Sequence, residues 1–347
     1  MNPMISSIDA WSILGKLGPL AAIAAIISAS LIVVLRPLLA RYALARPNAR
    51  SSHSKPTPQG GGIAVVGATT IVAVGAFIFA PDLLNDPLRL TAIFASIIAL
   101  AVVGATDDIR PLEALPRLLL QAAAAAAVIA TLPVDLRIIP VLPWWFERAC
   151  VLIGFLWFVN LVNFMDGIDW MTVAEIVPLT AGLTLFGLMG ALPRDATVVA
   201  VALCGAIIGF APFNRPVARL FLGDVGSLPI GLLLSWLLVL LAGGGHLAAA
   251  LLLPLYYLAD ATITLLRRLI KGEPVMQAHR SHFYQRAMDG GFNVYQIVSR
   301  VFAVNNMLVG LAALTLLNTS LSFQIIGLAG GGALVGALLW NFNRAGR

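Results

Sequence analysis

Residues 92–108 read AIFASIIALAVVGATDD. An uncharged run of helical length ends abruptly in two adjacent carboxylates, Asp107 and Asp108. That is the pattern of a helix leaving a bilayer. Neighbouring carboxylates at such an edge repel each other and resist desolvation, so a divalent cation or a bound proton must offset the cost. Runs of the same kind recur along the 347 residues, of which 60% are hydrophobic and 11% charged, with a mean hydropathy of +0.93. Soluble domains carry roughly twice that charged fraction. A bilayer core about 30 Å thick takes about 20 apolar residues per helix. The fold class is therefore all-α, a polytopic integral membrane protein.

Spans are expected near 13–35, 62–80, 89–106, 117–132, 148–163, 171–191, 196–212, 227–243, 246–266, 298–317 and 320–340, about ten to eleven transmembrane helices. Pro and Gly punctuate almost every boundary. On that alternation, seventeen of the 22 Lys and Arg fall on one side and five on the other. The positive-inside rule then puts the N-terminus outside and the C-terminus in the cytoplasm. The net charge of +6 reads as membrane orientation, and no nucleic-acid partner is expected. No cleavable leader is evident before the first span. Cys150 and Cys204 lie in or beside apolar spans and make no disulfide framework. GGG at 243–245 reads as an external turn, and GG at 330–331 as a tight helix contact.

The chain reads as a single transmembrane catalytic domain, 1–347, with a site formed by cytoplasmic loops at about 36–61, 107–117, 160–170, 213–227 and 267–297. In the first loop, Pro56 and Pro58 exclude a helix, Gly60 to Gly62 allow close backbone approach to a ligand, and Arg50, His53 and Lys55 supply donors. Asp107 and Asp108 point about 100° apart on a helix. One would face a reacting centre and the other a cation, or both would cap the helix that follows. Asn160, Asn163, Asp166 and Asp169 form a polar stripe, broken by a turn at Gly167. Asp224 lies between Gly223 and Gly226, where backbone can fold around a metal or phosphate. Ser227 is placed to cap the next helix. Phe221 either stacks on a base or anchors the membrane edge. His279, Arg280, His282 and Arg286 suit an anionic, phosphorylated substrate. Zinc is the weaker reading, since no Cys is near and a third His is missing. Asp260 lies within a span, as either the partner of a cytoplasmic Arg or support for the site.

Carboxylates and amides at a lipid boundary imply Mg²⁺, whose hard-oxygen preference commonly includes substrate phosphates. Cations and glycine loops imply phosphate, and the location implies a lipid substrate. Phosphoryl transfer from a nucleotide-linked donor to a lipid phosphate uses all these parts.

In chain order, RSSHSKPTPQGGG (50–62), DD (107–108), NLVNFMDGID (160–169), FLGDVGS (221–227) and HRSHFYQR (279–286) resemble the polyprenyl-phosphate N-acetylhexosamine-1-phosphate transferase superfamily, glycosyltransferase family 4. Its members include the MraY, WecA and WbpL types, and the first and last motifs look most like the WbpL-type branch. The resemblance implies transfer of an N-acetylated amino sugar 1-phosphate from a UDP-sugar to undecaprenyl phosphate, with release of UMP. It further implies Mg²⁺ (Mn²⁺ substituting), a role in starting O-antigen or other cell-envelope glycans, and a bacterial inner-membrane location with the site facing the cytoplasm. By motif position, Asp107 and Asp108 match carboxylates that activate or orient the lipid phosphate. Asp224 matches the main metal ligand and Asn163 a residue that shares it. Asp166, Asp169, Asn214 and Phe221 match nucleoside-side positions. His279, Arg280 and His282 match the loop that contacts the diphosphate and sugar, and Lys55 and Asn160 support substrate binding. Small-residue helix faces permit a homodimer. One departure stands out: the family usually reads DGIDG, and Trp170 replaces the last Gly. If that position needs φ > 0, a Trp there is strained.

The rival class is a cation- or proton-coupled transporter using Asp107, Asp166, Asp224 and Asp260. Transport predicts acids near the midplane between inverted repeats. No repeat is visible, and most of the acids sit at one edge. A non-catalytic glycan-assembly subunit would not need Asp107, Asp108 and Asp224 together.

Overall fold

The computed structural model describes residues 7–45, 56–81, 86–274 and 279–345. Arg50, His53 and Lys55 lie outside the described residues. The long helices, in chain order, are α1 (Ser7–Tyr42), α2 (Gly62–Phe79), α3 (Pro87–Ile109), α4 (Ala114–Ala130), α5 (Trp144–Met165), α6 (Met171–Leu188), α7 (Arg194–Phe210) and α8 (Asp224–Leu241). They are followed by α9 (Leu247–Leu252), α10 (Leu255–Ile270), α11 (Phe283–Asp289), α12 (Val294–Leu317) and α13 (Leu321–Ala345). Two short strands, β1 (Leu44–Ala45) and β2 (Thr57–Pro58), pair antiparallel, with Leu44 opposite Pro58.

The all-α polytopic reading holds. Among the described residues, eight helices are long and apolar enough to cross a membrane. The other three expected spans, 117–132, 196–212 and 246–266, are present as shorter helices. Here α4 and α7 have 17 residues each, and the third is divided into α9 and α10 by a turn at Leu253 and Pro254. Seventeen residues reach about 25 Å at 1.5 Å each. Gly243 to Gly245 fall between α8 and α9, as a turn there requires. They lie in the helical run Ala242–His246, which kinks at Gly245, where φ is 91°.

Helix directions follow from close approaches. Gly205 and Gly209 of α7 lie against Ala21 and Ala25 of α1, where an added Cβ would meet the carbonyl oxygens at 2.1 and 2.2 Å. This small-xxx-small pair packs α1 and α7 in parallel. Gly62 meets Gly226, so α2 runs parallel to α8. Gly104 meets Asp224 and Val225, and Val159 meets Gly231. Helices α3 and α5 therefore run antiparallel to α8. Helix α8 is central and almost wholly buried, with α2, α3 and α5 packed around it. The starts of α2 and α8 and the ends of α3 and α5 thus meet at one end of the bundle. Each of the expected site segments is more helical than its sequence suggests. Helix α1 continues through Arg36 and Pro37 to Tyr42, α3 includes both aspartates, and α5 runs to Met165. The chemistry-bearing side chains consequently sit on helix ends as well as in loops.

Two of these helices carry caps legible in sequence. Asp86 accepts from the Arg89 N–H at 3.0 Å at the start of α3, with Pro87 in the first helical position. Asn293 and Gln296 exchange side-chain bonds at the start of α12.

Candidate active site

Helix α3 delivers Asp107 and Asp108 from its last turn, and their roles divide. Asp108 Oδ1 accepts from the Asp224 N–H at 3.0 Å and Oδ2 from the Val225 N–H at 3.1 Å. It therefore caps α8, a helix that begins 116 residues later, and not the helix that follows it. Its carboxylate offsets the free N–H groups and positive dipole end of α8. Asp107 turns the other way. Its Oδ1 accepts from the Leu112 N–H at 2.6 Å, and its Oδ2 accepts from Arg117 Nη1 at 2.8 Å. Asp107 also hydrogen-bonds the carboxyl of Asp224.

Asp224 is the first residue of α8, and Asp108 fixes its backbone. Its Oδ1 accepts from Asn163 Nδ2 at 2.7 Å, and Arg117 Nη1 lies 3.8 Å from its Oδ2. The same Asn163 amide donates to Ser227 Oγ at 2.9 Å. Ser227 is thus one turn inside α8 and holds Asn163; it is not the cap. Backbone pairing brings the glycine loop alongside. The Gly61 and Gly62 N–H groups donate to the Phe221 and Leu222 carbonyls at 2.9 and 2.8 Å. Gln59 Nε2 donates to the Asp108 carbonyl at 2.8 Å.

Asp166 ends α5, and the Thr172 hydroxyl donates to it. Burial, reinforced by the charges of Asp108 and Asp169, pushes its carboxyl up to about 6, against the opposing Thr172 bond. Asp169 accepts from the Ala218 N–H at 2.9 Å. Asn214, nearly buried, accepts from the Trp170 N–H at 2.8 Å and donates to the Leu220 carbonyl at 3.1 Å. Asp169 and Asn214 therefore lock the 166–170 turn onto the 211–220 loop, a positioning task that motif matching did not reveal.

Trp170 is the one described non-glycine residue with positive φ, at 62°. The departure noted in sequence falls on a left-handed position. The indole Nε1–H donates to the Ala211 carbonyl at 2.6 Å, and the ring meets Tyr295 edge-on at 6.0 Å. Left-handed backbone costs about 1–2 kcal/mol for a residue with a Cβ. Losing a hydrogen bond and a half-buried indole costs more, on the order of 2–3 kcal/mol. Trp170→Gly is therefore expected to lower the thermal midpoint of purified protein. A higher midpoint would mean that backbone strain outweighs the ring's contacts.

The remaining expected residues divide between a second cluster and helix packing. His279 Nδ1 lies 2.9 Å from Ser281 Oγ. Burial, followed by His282 and Arg268, lowers the His279 imidazole to about 4, so it is neutral near pH 7. Arg280 pairs with Asp289 at 2.9 Å. The segment reaches the acidic cluster through Tyr284, whose hydroxyl donates to the Phe164 carbonyl at 3.2 Å. Phe221 is half-buried, with its backbone paired to Pro58 and Gly61. Asn160 is not brought to the acids. Its amide donates to Gln121 Oε1 at 2.6 Å and the Leu156 carbonyl at 2.8 Å, which joins α5 to α4. Arg117 is the residue sequence reading missed. It counted only toward orientation, although it contacts both Asp107 and Asp224.

Among the described residues, no three His, Cys, Asp or Glu side chains form a preassembled metal cluster. Two acids that hydrogen-bond to each other need a shared proton, and a divalent cation can take its place. Mg²⁺ is commonly held by one or two carboxylates, with substrate phosphates and water completing its shell. Asp107, Asp224 and the free Oδ1 of Asn163 fit that donor set.

A sequence profile described as glycosyl transferase family 4 matches residues 90–242, from α3 through α8. The chain is 30% identical to a phospho-N-acetylmuramoyl-pentapeptide-transferase of Synechococcus sp., over 83% of this chain and 87% of that protein. It is 26% identical to the probable undecaprenyl-phosphate N-acetylglucosaminyl 1-phosphate transferase of Bacillus subtilis, over 85% and 86%. It is 29% identical to a decaprenyl-phosphate N-acetylglucosaminephosphotransferase of Mycobacterium tuberculosis, over 75% and 72%.

Proposed function

The chain belongs to glycosyl transferase family 4, and on that premise we propose that it transfers a sugar 1-phosphate from a UDP-N-acetyl sugar to undecaprenyl phosphate. An oxygen of the lipid phosphate attacks the β-phosphorus of the donor. The new P–O bond yields the lipid-linked diphosphate sugar, and the bond to the bridging oxygen breaks to release UMP. The observation that carries this reading is the meeting of Asp107, Asn163, Asp224 and Arg117 at one end of a membrane-spanning bundle.

Asp107 and Asp224, with Asn163 beside them, would hold Mg²⁺ or Mn²⁺, which supplies positive charge for the donor diphosphate and the departing UMP. Arg117 holds Asp107 in place and adds charge next to Asp224. Asp108 sets the start of α8 and hence the position of Asp224. Asp166, raised by burial, lies at the end of α5, between Phe164 and Gly167, which both meet Tyr284. Most of the reaction's demand is positioning and charge stabilisation.

We assign this end of the bundle to the cytoplasmic face of a bacterial inner membrane, an orientation that the positive-inside rule supports and that gives access to soluble UDP-sugars. The reaction is of the EC 2.7.8 type, and its product would start an O-antigen or another cell-envelope glycan. The transporter reading is not favoured. Asp107, Asp166 and Asp224 lie at one end, and the buried Asp260 has its oxygens engaged locally.

Full-length protein purified in detergent tests the proposal, given a panel of UDP-N-acetyl sugars with undecaprenyl phosphate. UMP release is expected to require both the lipid phosphate and a divalent cation, and to stop with EDTA. Absence of UMP with every donor, together with gradient-driven ion uptake into liposomes, would favour transport.

A further inference from the structure

Asp260 lies on α10 with 0% exposure, a setting in which a carboxylate is costly unless its oxygens are occupied. They are occupied by five donors. Oδ1 faces His282 Nδ1 at 3.3 Å, the Phe283 N–H at 3.0 Å and the Thr264 hydroxyl at 3.4 Å. Oδ2 accepts from the Tyr256 hydroxyl at 3.2 Å and the Tyr284 N–H at 3.3 Å. No arginine is among these five donors.

The consequence runs through rings. His282 is 2% exposed and stacks on Tyr284 at 5.8 Å, with ring planes 15° apart. His279 also lies against the His282 ring, at 4.9 Å. Tyr284 in turn anchors on the Phe164 carbonyl, next to Gly167, where an added Cβ would sit 2.0 Å from its hydroxyl. The contacts His279–His282 and His282–Tyr284, with the Tyr284 bond to Phe164, therefore link the basic loop to the end of α5, beside Asn163 and Asp166. A carboxylate oxygen already accepting from an N–H and a hydroxyl can only accept from His282 as well, which puts a ring proton on Nδ1.

We propose that Asp260 is a positioning residue: its carboxylate fixes the tautomer and orientation of His282, and through that ring the placement of His279 in the basic loop and of Tyr284 against the end of α5. The idea rests on the reading that this loop borders the donor site, and it calls for a readout that does not depend on transfer.

The first readout is nitrogen NMR of the full-length protein labelled at histidine, with the His282 signals identified by their loss in His282→Ala. Wild-type His282 is expected to carry its proton on Nδ1, and Asp260→Asn to abolish that preference. A proton on Nε2 alone, or an unchanged spectrum in Asp260→Asn, would overturn the proposal whatever reaction the protein performs.

The second readout is a double-mutant cycle on UMP release. Asp260→Asn is expected to lower kcat about 100-fold, the scale of misplacing a group by about 1 Å, with KM for the donor changed less than about threefold. In a His282→Ala background the same change should cost less than about threefold, because the ring through which Asp260 acts is gone. Tyr256→Phe, which removes one Asp260 partner and leaves His282 alone, should retain activity. Equal losses in both backgrounds would assign Asp260 a purely structural role. A wild-type protein that releases no UMP would defeat the transferase reading and leave the NMR result to decide this one.

Discussion

Asp224→Ala should lower UMP release by about 10³-fold or more, the scale of losing a group that stabilises developing charge, while the protein still inserts and folds. The fold should survive because little of it depends on this side chain. Deleting it frees the Asn163 amide for its second partner, Ser227. It also removes the contact between two acids, Asp107 and Asp224. Against that gain stands the loss of a negative charge at the start of α8, about 0.3–1 kcal/mol. Asp108, which holds the backbone of that turn, is untouched. Asp224→Asn keeps the shape and removes the charge, so it should fail almost as badly. The comparison needs UMP release and a thermal midpoint from the same preparations. Activity within about threefold of wild type would remove Asp224 from the chemistry.

Gly104→Ala should damage both fold and activity although it touches no substrate. A Cβ at residue 104 would lie 2.2 Å from the Asp224 carbonyl oxygen and 2.5 Å from the Val225 nitrogen. These are backbone atoms and cannot swing aside, so α3 must move away from α8. Overpacking of this kind costs about 1–3 kcal/mol and sometimes more. The two Asp108 bonds at 3.0 and 3.1 Å cross this same interface. They would stretch or break, and Asp224 would shift from Asp107. A displacement of about 1 Å is enough for roughly a 10²-fold loss of turnover. Gly154→Ala is the matched control, since nothing lies within 4 Å of a Cβ built there. If Gly104→Ala matched Gly154→Ala in thermal midpoint and UMP release, the rigidity assigned to the α3–α8 contact would be wrong.

The sequence disclosed the class of fold through hydropathy, and the chemistry through acids placed at span edges. It disclosed less about what each acid does. Asp107 and Asp108 are equivalent in sequence, yet one meets Arg117 and Asp224 while the other caps α8. That division depends on α3 lying antiparallel to α8, a long-range contact with no local signature. Asn160 and Asn163 stand three residues apart on one helix. Only Asn163 faces α8, because Gln121 of α4 takes the other. Asp169 and Asn214 matched ligand positions by motif, but loop packing occupies polar atoms of both. Arg117 was hidden by its usefulness in the charge count. Trp170 was different: its replacement of glycine was visible at once, the sequence left a helical or a positive-φ backbone open there, and the φ of 62° is the second case. Span lengths were overestimated at 246–266 because hydropathy does not register the turn at Leu253 and Pro254.

Mn²⁺ gives the most direct measurement of where the reaction is centred. Crystals grown with Mn²⁺, measured at its absorption edge, are expected to show one anomalous peak in contact with carboxylate oxygens of both Asp107 and Asp224. That peak should vanish in Asp224→Ala. A protein that releases UMP while its ion binds elsewhere, away from both aspartates, would contradict the assignment.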